Sequence, residues 1–429
     1  MKRILNIIIA LVAFAVIVPS YTANAAQRSS KKVVKTGIDV LESNGFKQLQ
    51  GKKIGLVTNP SGVNNKLVST VDILANAPGV ELVALYGPEH GVRGDIHAGD
   101  KVSDDVDPKT GVPVYSLYGK TRKPTPEMLK DVDAIVYDIQ DNGCRSFTFI
   151  STLGLLMEAA AENGKEVIVL DRPNPLGGNK VEGNIVEAGN FSFVSQFEIP
   201  YLYGLTVGEL AKMLNEEGML KGEKGKNEKV VKCNLTVVPM EGWKRDMVYT
   251  DTRLPWVLPS PHMPQAETSY YYPATGILGD LGYMSIGVGY TLPFQMVAAQ
   301  WINAAEFADA LNALALPGVT FRPINIKPFY SVGKGENMGG VQIYITDYAK
   351  AHLTSIQFYI MQEVARMYPE HEVMANADKG RFRMFDLVSG SNFIREKFTE
   401  TQQYKDIEAY WNKDVESFKK KSAKYYLYK

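Results

Sequence analysis

The sequence is short of cysteine, of histidine and of surplus charge. Two cysteines in 429 residues, Cys144 and Cys233, cannot make a disulfide framework for a chain this long, and the expectation is two buried free thiols. The five histidines (90, 97, 262, 352 and 371) are too scattered for a metal-ligand spacing, and His-Glu-x-x-His does not occur, so no metal site is expected. Lys and Arg total 47, as do Asp and Glu, which argues against a basic face for nucleic acid and against an acidic solvating tail. Also missing are Gly-x-Gly-x-x-Gly after the first strand pattern, Gly-x-x-x-x-Gly-Lys-[Ser/Thr] and Gly-x-Ser-x-Gly. Their absence speaks against a nucleotide cofactor and against a serine hydrolase, and no cofactor is expected.

A long apolar run stands at the N-terminus. Ile4 to Val18 is apolar apart from Asn6, follows Lys2 and Arg3, and precedes the small-x-small site Ala23-Asn24-Ala25. It reads as a signal peptide, residues 1–25, too short for a membrane anchor. The mature chain is expected to be exported and soluble, periplasmic in a cell with two membranes, with no membrane span left. Residues 26–35 read as flexible.

Length alone favours two domains. Short aliphatic runs at Lys53–Asn59, Val80–Tyr86, Val132–Tyr137 and Val167–Leu170 alternate with helical patterns at Ser69–Asn76, Phe149–Asn163 and Leu205–Met219. Such alternation predicts an α/β fold: a Rossmann-like parallel sheet with helices on both faces over residues 36–245, then a smaller α/β domain over 246–429. In a parallel sheet the strand C-termini share one edge, where ligands bind. Each strand pattern here ends in a polar cluster: Asn59 and Ser61; Glu89 and His90; Asp138, Gln140 and Asp141; Asp171, Arg172 and Asn174. The densest stretch is Gly87-Pro88-Glu89-His90-Gly91-Val92-Arg93-Gly94-Asp95, which sets two carboxyls, an imidazole and a guanidinium among glycines. Beyond residue 250, the proline-rich Leu258–Pro264 and Tyr270-Tyr271-Tyr272 suit either a sugar-like ligand or a packed seam between domains.

Four stretches together resemble the exo-β-N-acetylmuramidases of the NamZ type: Gly87–Gly94, Tyr137–Gly143, Leu170–Gly178 and Leu205–Ala211. The resemblance covers nearly all of the mature chain. It implies a cleft between a Rossmann-like catalytic domain and a smaller one. It also implies release of N-acetylmuramic acid from the non-reducing end of peptidoglycan fragments of the MurNAc-GlcNAc type. Glu89 is then the leading catalytic acid, with His90 beside it. Asp138 or Asp171 could supply the second group, as could the substrate's own 2-acetamido oxygen. Arg93, Arg145 and Arg172 are candidates for the lactyl carboxylate or sugar hydroxyls. Asn59, Ser61, Asp95, Gln140, Asp141, Asn174, Glu182, Ser260, His262, Tyr283 and Ser285 complete the expected substrate contacts. The chain departs from the family pattern in its second half. Val288 stands where relatives have Arg, Gly282 and Tyr283 replace a Thr-Asn pair, and His262 replaces an Asn. Those departures keep two alternatives in view: a non-catalytic muropeptide- or glycan-binding protein, and a glycosidase for another amino sugar.

Overall fold

The computed structural model describes residues 33–94, 105–222 and 229–429; the N-terminal signal pattern and Asp95 lie outside them. Short aliphatic runs build the main sheet from β1 (Lys53–Thr58), β2 (Glu81–Gly87), β3 (Asp105–Val106), β4 (Pro113–Ser116), β5 (Ala134–Asp138), β6 (Glu166–Leu170) and a last strand, Asn234–Val238. Ile54, Leu56, Leu85, Val136, Ile168 and Leu170 belong to one core, which takes in Ile38 and Leu41 of the Gly37–Ser43 helix and Val71 and Leu74 of the Thr70–Ala75 helix. Their sequence neighbours Val57, Tyr86, Ile135, Tyr137, Val167 and Val169 join the opposite core, under the Phe149–Glu162 and Val207–Glu216 helices. Strand residues buried on both faces explain the nearly unbroken aliphatic runs.

The strand order is Asn234–Val238, β6, β5, β1, β2, β4, β3, with every neighbour parallel except β3 against β4. The chain moves outward from β1 through β2 to β4, then returns to β5 and moves outward the other way. The topological switch point therefore lies between β1 and β5, where a doubly wound sheet opens its crevice.

The smaller sheet is antiparallel, with Met338–Ile345 between Met296–Ala299 and Val319–Ile326. The Ala304–Ala313 helix, N-capped by the Asn303 side chain, packs on it. Phe307, Val341, Ile343 and Phe358 belong to the same apolar cluster as Val57 and Tyr137, so one core runs through both sheets. Tyr270-Tyr271-Tyr272 lies within a helix, Thr268–Asp280, that contains Pro273. Lys221–Gly222 pairs antiparallel with Lys229–Val230.

Cys144 and Cys233 are buried and unpaired. Burial pushes their thiols up to about 12 and about 11, which makes them poor nucleophiles. The C-terminus returns to the first sheet. The Tyr428 hydroxyl donates to Asp171 at 2.5 Å, the Leu427 amide to Glu209 at 2.8 Å, and the Tyr426 ring covers the Arg245 guanidinium.

Candidate active site

The switch point between β1 and β5 is filled by the protein itself. Asp138, at the end of β5, accepts from Arg172 Nε at 2.5 Å, Arg172 Nη2 at 2.8 Å and Thr70 Oγ1 at 2.5 Å. The Ser61 hydroxyl bonds Asn59 Oδ1 at 2.5 Å and accepts the Gln140 amide at 2.9 Å. Asn59 Nδ2 donates to the Pro259 carbonyl at 3.0 Å, and Leu254, Pro255 and Val257 line the small space left there. All of these polar groups are buried. They clamp the proline-rich segment over the sheet edge and have no free face for a sugar.

Other expected contacts are likewise taken up by the fold. Asp171 is buried at the N-terminus of the Val207–Glu216 helix and accepts from Gly208 N at 2.8 Å, Thr206 Oγ1 at 2.7 Å and Tyr428. A Cβ on Gly208 would stand 2.8 Å from the Asp171 carboxyl carbon, so that approach needs glycine. Burial still pushes Asp171 up to about 7, and Asp141, bonded by Tyr203, up to about 6. Arg145 is fully buried and donates to the carbonyls of Asn184, Ile199, Val388 and Ser389 and to the Ser195 hydroxyl. It is a strut between segments, with no N–H left for a lactyl carboxylate. Arg93 is held by Asp107 and Asp72, Asn174 bridges Leu205 and Leu176, and Glu182 accepts from Leu353 N, Thr354 N and Thr354 Oγ1. Tyr283 turns away to stack on Trp301 and bond His371.

The open space lies next to β2. Pro88-Glu89-His90-Gly91 is a turn closed by Gly91 N to Pro88 O at 3.0 Å, with His90 held at φ 76° and Gly91 at φ 73°. A non-glycine residue in that region is strained and recurs where geometry serves function. The turn aims Glu89, half-exposed, into a cavity of about 200 Å³, lined also by His90, Ser146, Thr148, Ser260 and His262 and walled by Phe147, Tyr272 and Phe294. The Tyr118 phenol stands near Glu89, and burial together with the Glu89 charge pushes it up to about 12. Burial and then His90 lower the His262 imidazole below its ordinary value, while Glu89 pulls the other way; its Nε2 lies 2.9 Å from the Tyr330 hydroxyl.

A second cavity of about 280 Å³ adjoins the first and shares Ser146, Tyr272 and Phe294 with it; Asp280 and Ser285 line it. The Ser146 and Tyr272 hydroxyls, 3.3 Å apart, join the two halves of the chain at this point. Of the expected site residues, the cleft therefore gathers Glu89, His90, Ser260, His262 and Ser285. Tyr272 comes from the aromatic run read as suited to a sugar-like ligand, whereas Ser146 and Asp280 were not among the expected site residues. Ser146 lies three residues beyond the Tyr137–Gly143 motif, and Asp280 is the last residue of a glycine-containing helix. Among the described residues no His, Cys, Asp and Glu cluster is arranged to hold a metal.

These features define a class: a doubly wound α/β protein with a smaller antiparallel-sheet domain and an open, aromatic-walled cleft that carries carboxyl groups. Residues 54–267 match the description "Exo-beta-N-acetylmuramidase NamZ, N-terminal" and residues 270–428 its C-terminal counterpart, so the chain belongs to the exo-β-N-acetylmuramidase NamZ family. It is 46% identical over 402 residues to the peptidoglycan β-N-acetylmuramidase NamZ of Bacillus subtilis (strain 168), across 94% of this chain and 93% of that one. Two crystal structures of DUF1343 family proteins from Bacteroides fragilis NCTC 9343 are also similar. One has 63% identity and a TM-score of 0.87, covering 92% of this chain and 99% of the other. The second has 26% identity and a TM-score of 0.71, covering 93% and 99%.

Proposed function

We propose that this protein is an exported glycoside hydrolase that removes N-acetylmuramic acid from the non-reducing end of peptidoglycan fragments of the MurNAc-GlcNAc type. The observation that carries this reading is the placement of Glu89. Asp138 and Asp171 are enclosed by protein donors, whereas Glu89 reaches an open cavity with the Tyr118 phenol nearby. A carboxyl so placed can deliver a proton to a leaving glycosidic oxygen. Phe147, Tyr272 and Phe294 offer apolar faces to a pyranose ring, and His262 and Ser260 offer polar contacts at the rim. Family membership and the activity named for the B. subtilis relative support the same reading, and the N-terminal pattern supports export. In this proposal residues 36–245 carry the catalytic acid and residues 246–429 complete the cleft.

The test is a panel of β-glycosides: MurNAc-GlcNAc, N-acetylglucosaminides and simple glucosides, each incubated with the full mature chain. Free N-acetylmuramic acid from the first, with little or no release from the others, is expected. A preference for an N-acetylglucosaminide would move the protein to another amino sugar, and tight binding of MurNAc-GlcNAc without turnover would make it a binding protein.

A further inference from the structure

The second cavity has an apolar side, formed by Met284, Ile286, Val288 and Phe294, and a polar side that includes Ser146, Tyr272, Ser285 and Ser331. One carboxyl group lines it, that of Asp280, the last residue of its helix. The Tyr272 phenol feels the charges of both Asp280 and Glu89, so the two carboxyls flank one tyrosine across the joined cavities. Arg381 is the cation beside Asp280, and it donates to the Asp280 backbone carbonyl at 3.2 Å. Burial pushes the Asp280 carboxyl up to about 7, with Arg381 acting in the opposite direction.

A carboxyl in such surroundings is a poor isolated anion and a good partner for an N–H that brings positive charge. An acetamide finds both of its needs here: an apolar wall for its methyl group and a carboxyl acceptor for its N–H.

We propose that Asp280 holds the N–H of the substrate's 2-acetamido group in this second cavity and turns the acetamide oxygen toward C1 as an internal nucleophile. The inference rests on the muramidase reading above. In the first step the acetamide oxygen bonds C1 while the bond from C1 to the leaving oxygen breaks, and Glu89 gives its proton to that oxygen. The resulting oxazolinium carries a positive charge, which the Asp280 carboxylate balances through the N–H. In the second step water bonds C1 and gives a proton to Glu89, and the bond from C1 to the acetamide oxygen breaks. The amide is restored and the configuration at C1 is retained.

Two measurements test this. Proton NMR of the sugar first released from MurNAc-GlcNAc should show the β anomer; the α anomer would overturn the proposal. Calorimetric titration compares N-acetylmuramic acid with its neutral-at-C2 analogue, 3-O-lactyl glucose, which has a hydroxyl in place of the acetamido group. The parent should favour the acetylated sugar by about tenfold or more, and Asp280→Asn should lose that margin while its melting temperature holds. Turnover of the disaccharide by Asp280→Asn should fall about 10²–10³-fold, with part recovered in Asp280→Glu. Equal binding of both sugars by the parent would overturn the proposal, as would Asp280→Asn turnover within a few-fold of the parent. A parent that discriminates the acetyl group but never cleaves would remove the muramidase reading and leave the acetamide pocket standing. Cleavage with inversion would do the reverse.

Discussion

Arg172 clasps Asp138 at the switch point of the main sheet, with Nε 2.5 Å from Oδ1 and Nη2 2.8 Å from Oδ2. Both side chains are buried, so removing one partner strands the other charge away from water. Arg172→Met should lower the unfolding free energy by about 3–5 kcal/mol, and Asp138→Asn should cost a similar amount. Urea unfolding followed by circular dichroism measures it. A loss below about 1 kcal/mol would show that the pair is not an anchor of the fold.

Arg145 offers a different comparison. Its planar fork reaches four carbonyls from separate segments, and a lysine at that position could meet only some of them. Arg145→Lys should therefore destabilise by about 2–4 kcal/mol despite keeping the charge. Because Arg145 does not line the cleft, the folded fraction should bind N-acetylmuramic acid as the parent does. Weakened binding by fully folded Arg145→Lys would restore Arg145 to the substrate site.

Stability should decline as pH rises from about 4 to above 7. Asp141, Asp171 and Asp280 hold their protons in the native state to about 6, 7 and 7, whereas an unfolded Asp loses its proton near 3.8. Between those limits the native state binds more protons than the unfolded chain, so the stability these groups contribute at low pH is lost as pH climbs through their folded values. Asp107 and Glu217, both lowered to about 2 by hydrogen-bonded cations, act in the opposite sense below pH 4. Urea midpoints from pH 4 to 8 should fall with pH, and Asp171→Asn should make the slope shallower. A midpoint that climbs steadily from pH 5 to 7.5 would contradict the assignment.

Glu89→Gln keeps the shape and the Tyr118 contact but has no proton to give. Turnover of MurNAc-GlcNAc should fall by about 10²–10⁴-fold, and an aryl glycoside with a good leaving group should lose less. Binding of N-acetylmuramic acid should stay within a few-fold. Should the variant cleave the disaccharide nearly as fast as the parent, the acid lies elsewhere in the cleft.

The parallel sheet was legible because its strands are buried on both faces and its helices are amphipathic. Ser69 and Asn76, which bracket one expected helix, are the caps of Thr70–Ala75. The Thr268–Asp280 helix was hidden by three adjacent tyrosines and Pro273, residues that weaken a helical pattern and that only packing against the rest of the core overrides. The site was half legible. Convergence of polar clusters at one sheet edge is real, but sequence does not say whether a polar group's partner will be substrate or protein. Asp138, Gln140 and Asn59 found protein partners, while Glu89 found open space. Asp280 heads the stretch through Gly282 and Tyr283 that departs from the family pattern, but the cavity that singles it out is assembled from residues distant in sequence.

The contacts of Tyr428 and Leu427 have a consequence for how the first sheet is completed. They bond Asp171 and Glu209 across sequence separations of 257 and 218 residues. Contacts between segments so far apart carry a large loop-closure cost before they stabilise anything, so the edge of the first sheet is finished late in folding, after the sheet and the Val207–Glu216 helix have formed.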